Sequence, residues 1–485
     1  ALLLVPIYLR TFGTHLYGAW LASGEVLNFL QLFDLGLTNV VTQRIGQAHA
    51  RNEPERVAEV FGSAVLAMTT IGALLALVAL GFSFFVAGVM TITGSEGRTL
   101  AGCFRLGALA TFLFVANFSV LGLSRGLQDT AIQNGGVVLG AVAGFATTAV
   151  FLWRGAGLWS IPAGMCARTA VALSASILFV FRLRRTGQLP RIRASRDALK
   201  EFARLSPATT LSGIGYLLTT QTEGTLVAVL LGPERVPVLF LTRRAIDVAS
   251  GILNTIAYSS YAGFSHLVAS PDRGRARAVH DEVLALWTAL AVTALATFYL
   301  VNQSLVTVWT GAATFGGPLL TLLVGAQVFV AGRLQVTYYL FRATGEIVSG
   351  SMLQSAESLT RLATMALLIW WAGLPGPALA TLLIGLPMML YVERRTRAML
   401  RPFAEEPPRV SLLAPLTQFA IVAAAAVGGY VLYQPHWPVV IAAGGTAALV
   451  AVLIQLRVDP HLAKFSMSIW ERMPWLRPAR AGGDR

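Results

Sequence analysis

Charged residues are scarce in this chain, where they make up 12% of the 485 residues, against about a quarter in a typical soluble domain. Hydrophobic residues make up 55%, and the mean hydropathy is +0.66. Apolar runs of about 20 residues, which suffice for one bilayer crossing, recur along the whole length. The composition therefore predicts an all-α polytopic membrane protein, because these runs are too continuously apolar for the alternating strands of a transmembrane barrel.

Cysteine and histidine are also scarce, and their scarcity excludes several kinds of site. The two cysteines, Cys103 and Cys166, lie in apolar segments and form neither a disulfide framework nor a metal motif. The six histidines are scattered, so we expect no metal site and no cofactor. The sequence also lacks a Walker A motif, an HExxH motif and a His–carboxylate cluster. We therefore expect a transporter rather than an enzyme, driven by an ion gradient or by downhill consumption of its substrate.

Arginine supplies almost all of the positive charge, because the net charge is +14 and the only lysines are Lys200 and Lys464. In a soluble protein this excess would suggest a nucleic-acid partner. Here the basic residues fall in alternate loops, of which RLRRTGQLPRIRASRDALKEFAR is the longest, whereas TITGSEGR, GAGLW and TGAATFGG are nearly neutral. Positive loops stay cytoplasmic and contact anionic lipid headgroups. We therefore predict a multi-pass membrane protein with a cytoplasmic C-terminus and no nucleic-acid partner.

Hydropathy and loop signals predict fourteen membrane helices. They lie near 1–13, 17–48, 57–91, 100–124, 131–153, 157–182, 204–231, 236–268, 280–310, 317–342, 346–373, 376–395, 410–433 and 437–456. The opening ALLLVPIYL is interpreted as a helix that lacks its start, since a signal peptide would have a basic n-region. Within the long basic loop, SRDALKEF is expected to form an amphipathic helix with Ser195 at its N-cap.

The two halves of the sequence resemble each other in the spacing of their parts. FGTHLYGAWLASGEVLNFLQLFDLGL aligns without gaps with LGPERVPVLFLTRRAIDVASGILNTI, so that Gly13 falls on Gly232. Further on, LSRGLQDTAIQNG falls on LFRATGEIVSGSM, with Arg125 on Arg342. Because each repeat has an even number of helices, six, the two repeats have the same orientation in the membrane.

The repeats predict how the chain is divided. We expect an N-terminal six-helix bundle, a basic cytoplasmic linker, a C-terminal six-helix bundle, a cytoplasmic loop, two additional transmembrane helices and a basic cytoplasmic tail. Their limits are 1–182, 183–203, 204–395, 396–409, 410–456 and 457–485.

The opening of the chain resembles a known family. PIYLRTFGTHLYGAW, followed by FLQLFDLGLTNVVTQRIGQAHARNEPE, is similar to the start of polysaccharide (O-antigen, Wzx-type) flippases of the multidrug/oligosaccharidyl-lipid/polysaccharide (MOP) exporter superfamily. The resemblance implies a V-shaped pair of bundles around a cationic central cavity. It implies transport of polyprenyl-pyrophosphate-linked oligosaccharides from the cytoplasmic to the periplasmic leaflet by alternating access, for O-antigen, exopolysaccharide or capsule biosynthesis. The implied partners are this lipid-linked glycan, membrane lipids, and a polysaccharide polymerase with its export machinery.

Charges inside the predicted helices mark candidate functional positions, because a charge near the bilayer centre costs about 2.5–3.5 kcal/mol. Asp34 and Arg44 lie about 15 Å apart along a helix, so they cannot pair within it. Each needs a partner elsewhere or a wet cavity, and for Arg44 snorkelling to the cytoplasmic surface remains open. In LFLTRRAIDVASGIL, Asp247 can pair with Arg243 or Arg244 at helical spacing. At least one of these two arginines is therefore expected to be available for another partner.

Arginine suits a pyrophosphate because its planar guanidinium bonds phosphate oxygens in pairs and stays protonated. The predicted substrate-binding residues are Arg44, Arg243, Arg244, Arg105 and Arg333. Arg44 is expected to converge on the pyrophosphate with Arg243 or Arg244, because their helices are equivalent in the duplication. Arg105 and Arg333 are interpreted as isolated charges in apolar helices.

Carboxylates provide candidates for coupling to an ion gradient. The predicted ion-coupling residues are Asp34, Glu25, Glu223 and Asp247. Asp34 is favoured, because it is the deepest and has no partner at helical spacing. Glu357 and Arg361 are expected to form an ion pair with each other.

Two other functions remain open. A multidrug or cation antiporter of the same superfamily would need an acid-rich binding lobe, whereas most of the spare charges here are arginines. A membrane glycosyltransferase or polymerase would need a large extramembrane loop with clustered acids or histidines, whereas the longest loop here is short and basic.

Overall fold

The computed structural model describes residues 4–31, 37–203, 221–269, 274–401, 413–458 and 462. Its helices, numbered in chain order, are α1 (Val5–Gln31), α2 (Leu37–Ala50), α3 (Pro54–Phe82), α4 (Gly94–Gly126), α5 (Ala131–Trp153), α6 (Ser160–Arg185), α7 (196–203), α8 (Glu223–Leu231), α9 (Arg235–Ala269), α10 (Gly274–Thr310), α11 (Gly317–Ala343), α12 (Ile347–Ala372), α13 (Gly376–Leu400), α14 (Leu413–Val431) and α15 (Trp437–Val458). Short turns lie at Val86–Val89, Gly157–Trp159 and Ala312–Thr314. The described ranges contain no β-strand, which confirms the all-α prediction.

Within the described part of the chain, nine helices are long and apolar enough to cross a membrane. They are α3, α4, α5, α6, α10, α11, α13, α14 and α15. The multi-pass membrane prediction is confirmed, and the total of fourteen crossings stays a prediction. The helix predicted over 57–91 is shorter, because α3 ends at Phe82 and a separate short turn, Val86–Val89, follows it.

The boundary predicted between helices 1–13 and 17–48 is present as a sharp break at Gly13 (φ 72°, ψ 171°), which divides α1 into two helical segments. Glycine reaches this backbone region at little cost because it has no Cβ. The predicted helix 17–48 is described as the rest of α1 and α2, and Asp34 lies in 32–36, outside the described residues.

The backbone itself repeats along the chain. Residues with positive φ recur in pairs at a nearly constant spacing: Gly13 with Gly232, Gly94 with Gly311, Gln128 with Gly345 and Gly155 with Gly373. Such left-handed residues interrupt helices. Their recurrence supports the internal duplication that the sequence predicts, even though few side chains match between the halves.

Packing divides the described residues into two compact units. The first unit lies within Ala1–Pro237 and includes Gln354–Leu362, and the second lies within Val238–Leu353 and Ala363–Arg485. The predicted domain limits follow the helix repeats instead of packing, and they stay a prediction.

The basic linker is folded onto the first unit. The predicted amphipathic helix is present as α7, and its Phe202 joins the apolar cluster that Phe61 and Phe179 form. The Ser195 backbone N–H donates a 2.8 Å hydrogen bond to Ser63 Oγ on α3. A Cβ at Gly62 would lie 2.5 Å from the Arg193 carbonyl oxygen. The apolar face of α7 therefore packs against the first unit's own core.

In the second unit, the two helices that follow the duplication, α14 and α15, pack against α10. Gln455 on α15 donates from Nε2 to the Ala289 carbonyl at 3.1 Å and to Thr293 Oγ1 at 3.0 Å. On α14, Gly429 packs directly on the backbone of Tyr299 and Leu300. Both additional helices are thus attached to the second unit through α10.

Candidate functional site

Within the first unit, α1 packs tightly against α8 and against the turn that follows α8. A Cβ at Gly18 would overlap the carbonyl oxygen of Pro233 in that turn, so only glycine permits the two segments to approach this closely. Thr225 Oγ1 donates to the Ala22 carbonyl on α1 at 2.9 Å. This contact fixes α8 relative to the part of α1 that carries the first predicted coupling acid.

Glu25, predicted to couple to ions, is bound to the N-terminal turn of α8. Its Oε2 accepts hydrogen bonds from the Thr225 backbone N–H at 2.8 Å and from Thr225 Oγ1 at 3.4 Å. An anion is stabilised there by the unpaired amides and the helix dipole. Glu223, the first residue of α8, is also buried, and Glu25 and Glu223 are 6% and 4% exposed. Two predicted coupling acids therefore meet at one helix terminus.

A third buried carboxylate lies in the first unit. Glu357 is 3% exposed and pairs with Arg361 Nε at 3.1 Å, which confirms the predicted ion pair. The buried charged side chains described in this unit are thus Glu25, Glu223, Glu357 and Arg361. This set has more carboxylates than guanidinium groups, and buried charges are stable when they are neutralised. The three buried carboxylates are therefore candidates for binding a proton or a cation.

Arg44 is held by the linker helix. It forms an ion pair with Glu201 on α7, and its Nη1 donates to Gln47 Oε1 at 2.9 Å. Arg56 also approaches Glu201, at 3.9 Å. The Arg44 side chain is 34% exposed and lies near the end of α2 that adjoins the basic loop. Its charge is therefore balanced by a residue that helical spacing could not identify.

Of the two adjacent arginines on α9, one forms the local ion pair that the sequence predicts. Arg243 Nε donates to both oxygens of Asp247, at 3.1 and 3.0 Å. The neighbouring Arg244 is exposed, and no ion-pair partner for it occurs among the residues that the structure describes. Arg244 is therefore the arginine that remains after the local pair forms.

Arg333 is not isolated, and its interpretation as an isolated charge is wrong. Its Nη2 and Nε donate to the two carboxylate oxygens of Glu393 on α13, at 3.1 and 3.4 Å, and its Nη1 donates to Thr288 on α10. Glu393 also binds Arg397 at 2.7 Å. The partner was missed because it lies on a different helix, far along the chain.

The Arg333–Glu393 pair belongs to a larger charge network that the sequence reading did not identify. Asp281 on α10 binds Arg277 at 2.9 Å, His280 Nδ1 at 3.0 Å and Arg397 at 3.9 Å. Two i,i+4 pairs, Arg277 with Asp281 and Glu393 with Arg397, were visible signals in the sequence. The network joins α10, α11 and α13 within the second unit.

Arg105 lies at the edge of the first unit. It is exposed, donates from Nε to Ser83 Oγ at 3.0 Å, and stacks over the Phe84 ring at 4.9 Å. Phe84 is itself 73% exposed. This environment is typical of an interfacial arginine that contacts aromatic and polar groups.

Sites for a metal ion were also considered. Groups of three or more His, Cys, Asp or Glu side chains with the proximity to hold one are absent from the described ranges.

Comparison of folds finds similar solved structures, which are membrane transporters. An inward-facing multidrug resistance MATE transporter of the MOP superfamily matches with a TM-score of 0.71 and 13% identity, over 82% of this chain and 93% of that chain. The lipid II flippase MurJ, in an inward closed conformation, matches with a TM-score of 0.63 and 12% identity, over 94% and 96%. A MOP superfamily transporter from Pyrococcus furiosus, described as having a binding pocket of reverse polarity, matches with a TM-score of 0.60 and 14% identity, over 82% and 92%. At these identities the likeness concerns the fold.

Sequence comparison identifies the family. A search of curated proteins finds no match. A family profile described as polysaccharide biosynthesis protein matches residues 1–267, which is more than half of the chain. The protein therefore belongs to the polysaccharide biosynthesis protein family and has the fold of the MOP superfamily transporters, which are not enzymes.

Proposed function

We propose that the protein is a flippase that moves polyprenyl-pyrophosphate-linked oligosaccharides from the cytoplasmic to the periplasmic leaflet of the bacterial inner membrane. The family supports a role in the biosynthesis of O-antigen, exopolysaccharide or capsule, and the fold is shared with a lipid II flippase. Alternating access moves the pyrophosphate and its sugars across, while the polyprenyl chain stays in lipid. A polysaccharide polymerase and its export machinery would use the product.

The exposed position of Arg244 on α9 is the observation that supports this proposal most directly. Arg244 lies about 14 Å from the start of α9, near the middle of a hydrocarbon core about 30 Å thick. An exposed guanidinium at that depth requires a wet cavity or an anion, because Arg243 already occupies Asp247. A pyrophosphate supplies the anion, and it is common to lipid-linked glycans whatever their sugars.

The positions and ion pairs of the arginines support a smaller set for the proposed pyrophosphate anchor. Arg44 lies near the end of α2 at the basic loop and binds Glu201, whereas Arg244 lies near the midplane in the predicted topology. We therefore assign the pyrophosphate to Arg244, with Arg243 oriented beside it by Asp247. Arg44 receives the substrate at the cytoplasmic entrance.

Complementation of a strain that lacks its polysaccharide flippase tests this assignment. Losing a charge-assisted contact costs about 1.5–3 kcal/mol, roughly tenfold to a hundredfold in affinity. We expect Arg244→Ala to reduce export by that order and Arg244→Lys to restore part of it, because lysine lacks the planar fork. Arg154→Ala, which removes an exposed arginine beyond the end of α5, is the matched control. Full export by Arg244→Ala at normal protein levels would refute the anchor.

The buried acids of the first unit are proposed to couple transport to protons. Glu25 and Glu223 lie at the N-terminal turn of α8, and Asp34, favoured from the sequence, lies outside the described residues. In proteoliposomes with an imposed pH gradient, Glu25→Gln and Glu223→Gln are expected to remove the response of transport to the gradient. Glu53→Gln is the control, because Glu53 is an exposed carboxylate just before α3 and belongs neither to the buried acids nor to the arginine anchor. Wild-type transport that ignores the gradient would exclude proton coupling.

The buried acids of the first unit also favour one alternative function. A multidrug or cation antiporter would use them to bind a cationic substrate, and the fold is shared with a multidrug resistance transporter. Efflux of a cationic dye from cells that express the protein, without complementation of the flippase-deficient strain, would establish that alternative.

A further inference from the structure

A cavity of about 330 Å³ opens at one end of the first unit. It is formed by three segments that meet there: the Gly13 break in α1, the first turns of α4, and the loop between α5 and α6. Its lining includes Thr11, Phe12, Ser95, Glu96, Thr99 and Trp159. Two of these segments belong to the neutral loops TITGSEGR and GAGLW, so the predicted topology places the cavity on the periplasmic side.

Trp159 gives the cavity a fixed aromatic surface. A Cβ at Gly102 on α4 would lie 2.6 and 2.9 Å from two atoms of the indole ring, so the ring rests on a site that only glycine leaves open. The side chain nevertheless remains 41% exposed. One part of the indole is thus packed against α4, and the remainder faces the cavity.

The polar groups of the cavity are hydroxyls and one carboxylate. Glu96 is exposed in the first turn of α4. Thr99 Oγ1 donates to the Ser95 carbonyl at 3.0 Å, and Thr11 Oγ1 donates to the Ile7 carbonyl at 2.8 Å. Each threonine hydroxyl then keeps its lone pairs for a donor from a ligand. The lining of this described cavity contains no Lys, Arg or His, so a phosphate group has no cation to bind there.

We propose that this cavity binds a sugar of the passenger on the periplasmic side, an inference that rests on the proposed flippase function. Sugar rings present an apolar C–H face, which packs on an indole, and a rim of hydroxyl donors, which bind carboxylate and threonine oxygens. A volume near 330 Å³ lies at the lower end of the range of ligand pockets, about 300–1,000 Å³, and suits one or two rings. The ligand class is a neutral or amino sugar without an exposed anionic group.

This site would divide recognition of the passenger between two regions of the protein. The pyrophosphate is identical in all such substrates and binds the arginine anchor, whereas the sugars differ and bind the Trp159 cavity. The cavity therefore contributes to selectivity for the glycan, and it holds the glycan after the passage across the membrane.

Binding to purified protein in nanodiscs provides the test. One probe is the oligosaccharide released by mild acid from the producing organism's own lipid-linked intermediate, and the other is polyprenyl pyrophosphate without sugars. We expect Trp159→Ala to weaken oligosaccharide binding at least tenfold and Glu96→Gln to weaken it severalfold, with polyprenyl pyrophosphate binding unchanged. Trp159→Phe, which keeps an aromatic surface and the fold, is expected to retain part of the affinity.

The matched control is Trp153→Ala, because Trp153 is 87% exposed at the end of α5 and does not line the cavity. Oligosaccharide binding that is absent from the wild type, or equal in the wild type, Trp159→Ala and Glu96→Gln proteins, would overturn the proposal. Equal loss of both probes in Trp159→Ala, with Trp159→Phe and Glu96→Gln unaffected, would also overturn it and indicate a structural role. Binding of lipid headgroups instead would appear as a Trp159-dependent signal from phosphatidylethanolamine vesicles without oligosaccharide. Failure of the flippase function itself is separate, because it appears as a wild-type protein that does not complement the deficient strain.

Discussion

At the scale of single residues, arginine serves two different purposes in this protein. Arg333 is enclosed by partners, with its side chain 15% exposed beside a Glu393 side chain that is 9% exposed. Arg244 lies on the exposed surface of α9. An enclosed, fully paired guanidinium stabilises the fold and has few donors left for a substrate. We therefore infer that Arg333 is structural, although its sequence position alone made it a candidate substrate ligand.

Replacing Arg333 distinguishes a structural role of this residue from a role in substrate binding. Breaking one side of a buried ion pair costs about 3–5 kcal/mol, because the remaining charge loses its partner. Arg333→Met is expected to approach the lower part of this range, since Glu393 keeps Arg397 at 2.7 Å. Thermal unfolding of the purified protein, followed by size-exclusion chromatography, measures the effect.

The double variant Arg333→Met/Glu393→Leu supplies the control. It removes both charges, so it should be more stable than the sum of the two single changes predicts, and it should support export. Loss of export by a stable double variant would show that Arg333 binds the substrate after all.

At the scale of helices, the contact between α1 and α8 organises the first unit. Gly18 on α1 permits the close approach to Pro233, and Glu25, two turns further along, accepts the hydrogen bonds of the α8 N-terminus. The close backbone contact at Gly18 and the hydrogen bonds of Glu25 thus hold the same two segments together. A change at either position is expected to move the buried acids relative to each other.

Two glycines of α1 test this contact. Gly18→Ala is expected to prevent correct folding, because its Cβ would overlap backbone and not a flexible side chain. Gly24→Ala is the matched control: no atom of the described residues lies within 4 Å of its Cβ, and alanine stabilises a helix interior by up to about 1 kcal/mol relative to glycine. The yield and the melting temperature of the two detergent-purified variants test this prediction. Equal stability of both would mean that α1 does not pack against the turn after α8 as described.

At the scale of the whole molecule, the orientation in the membrane determines the direction of transport. The basic loops, which the positive-inside rule places in the cytoplasm, include the linker that carries α7. The neutral loops border the Trp159 cavity. Both the entrance role of Arg44 and the periplasmic role of the cavity therefore depend on this topology.

Cysteine labelling in whole cells tests the orientation. In a background without Cys103 and Cys166, Gln188→Cys in the linker is expected to be protected from a membrane-impermeant maleimide. Ala313→Cys, in the neutral turn after α10, is expected to react. Both positions are exposed in the structure, so a difference in labelling reports the side of the membrane. The reverse pattern would invert the topology and the direction of transport.

The sequence by itself determined the features that depend on composition and local spacing. Hydropathy identified the apolar helices because a bilayer crossing requires a minimum apolar length. Residues one helical turn apart predicted the pairs Arg243–Asp247 and Glu357–Arg361, and both are present. The nearly equal spacing of Gly13 from Gly232 and of Arg125 from Arg342 predicted the repeat, because a duplicated fold keeps the spacing of its helices even where few side chains match.

Only the tertiary structure decided which charges are neutralised across helices. Glu201 reaches Arg44 because α7 folds back onto the first unit, and Glu393 reaches Arg333 because α11 and α13 pack side by side. The Trp159 cavity joins three segments that are distant in the sequence. These contacts depend on how helices pack, and the spacing of residues along one helix carries no information about which residues a neighbouring helix places opposite them.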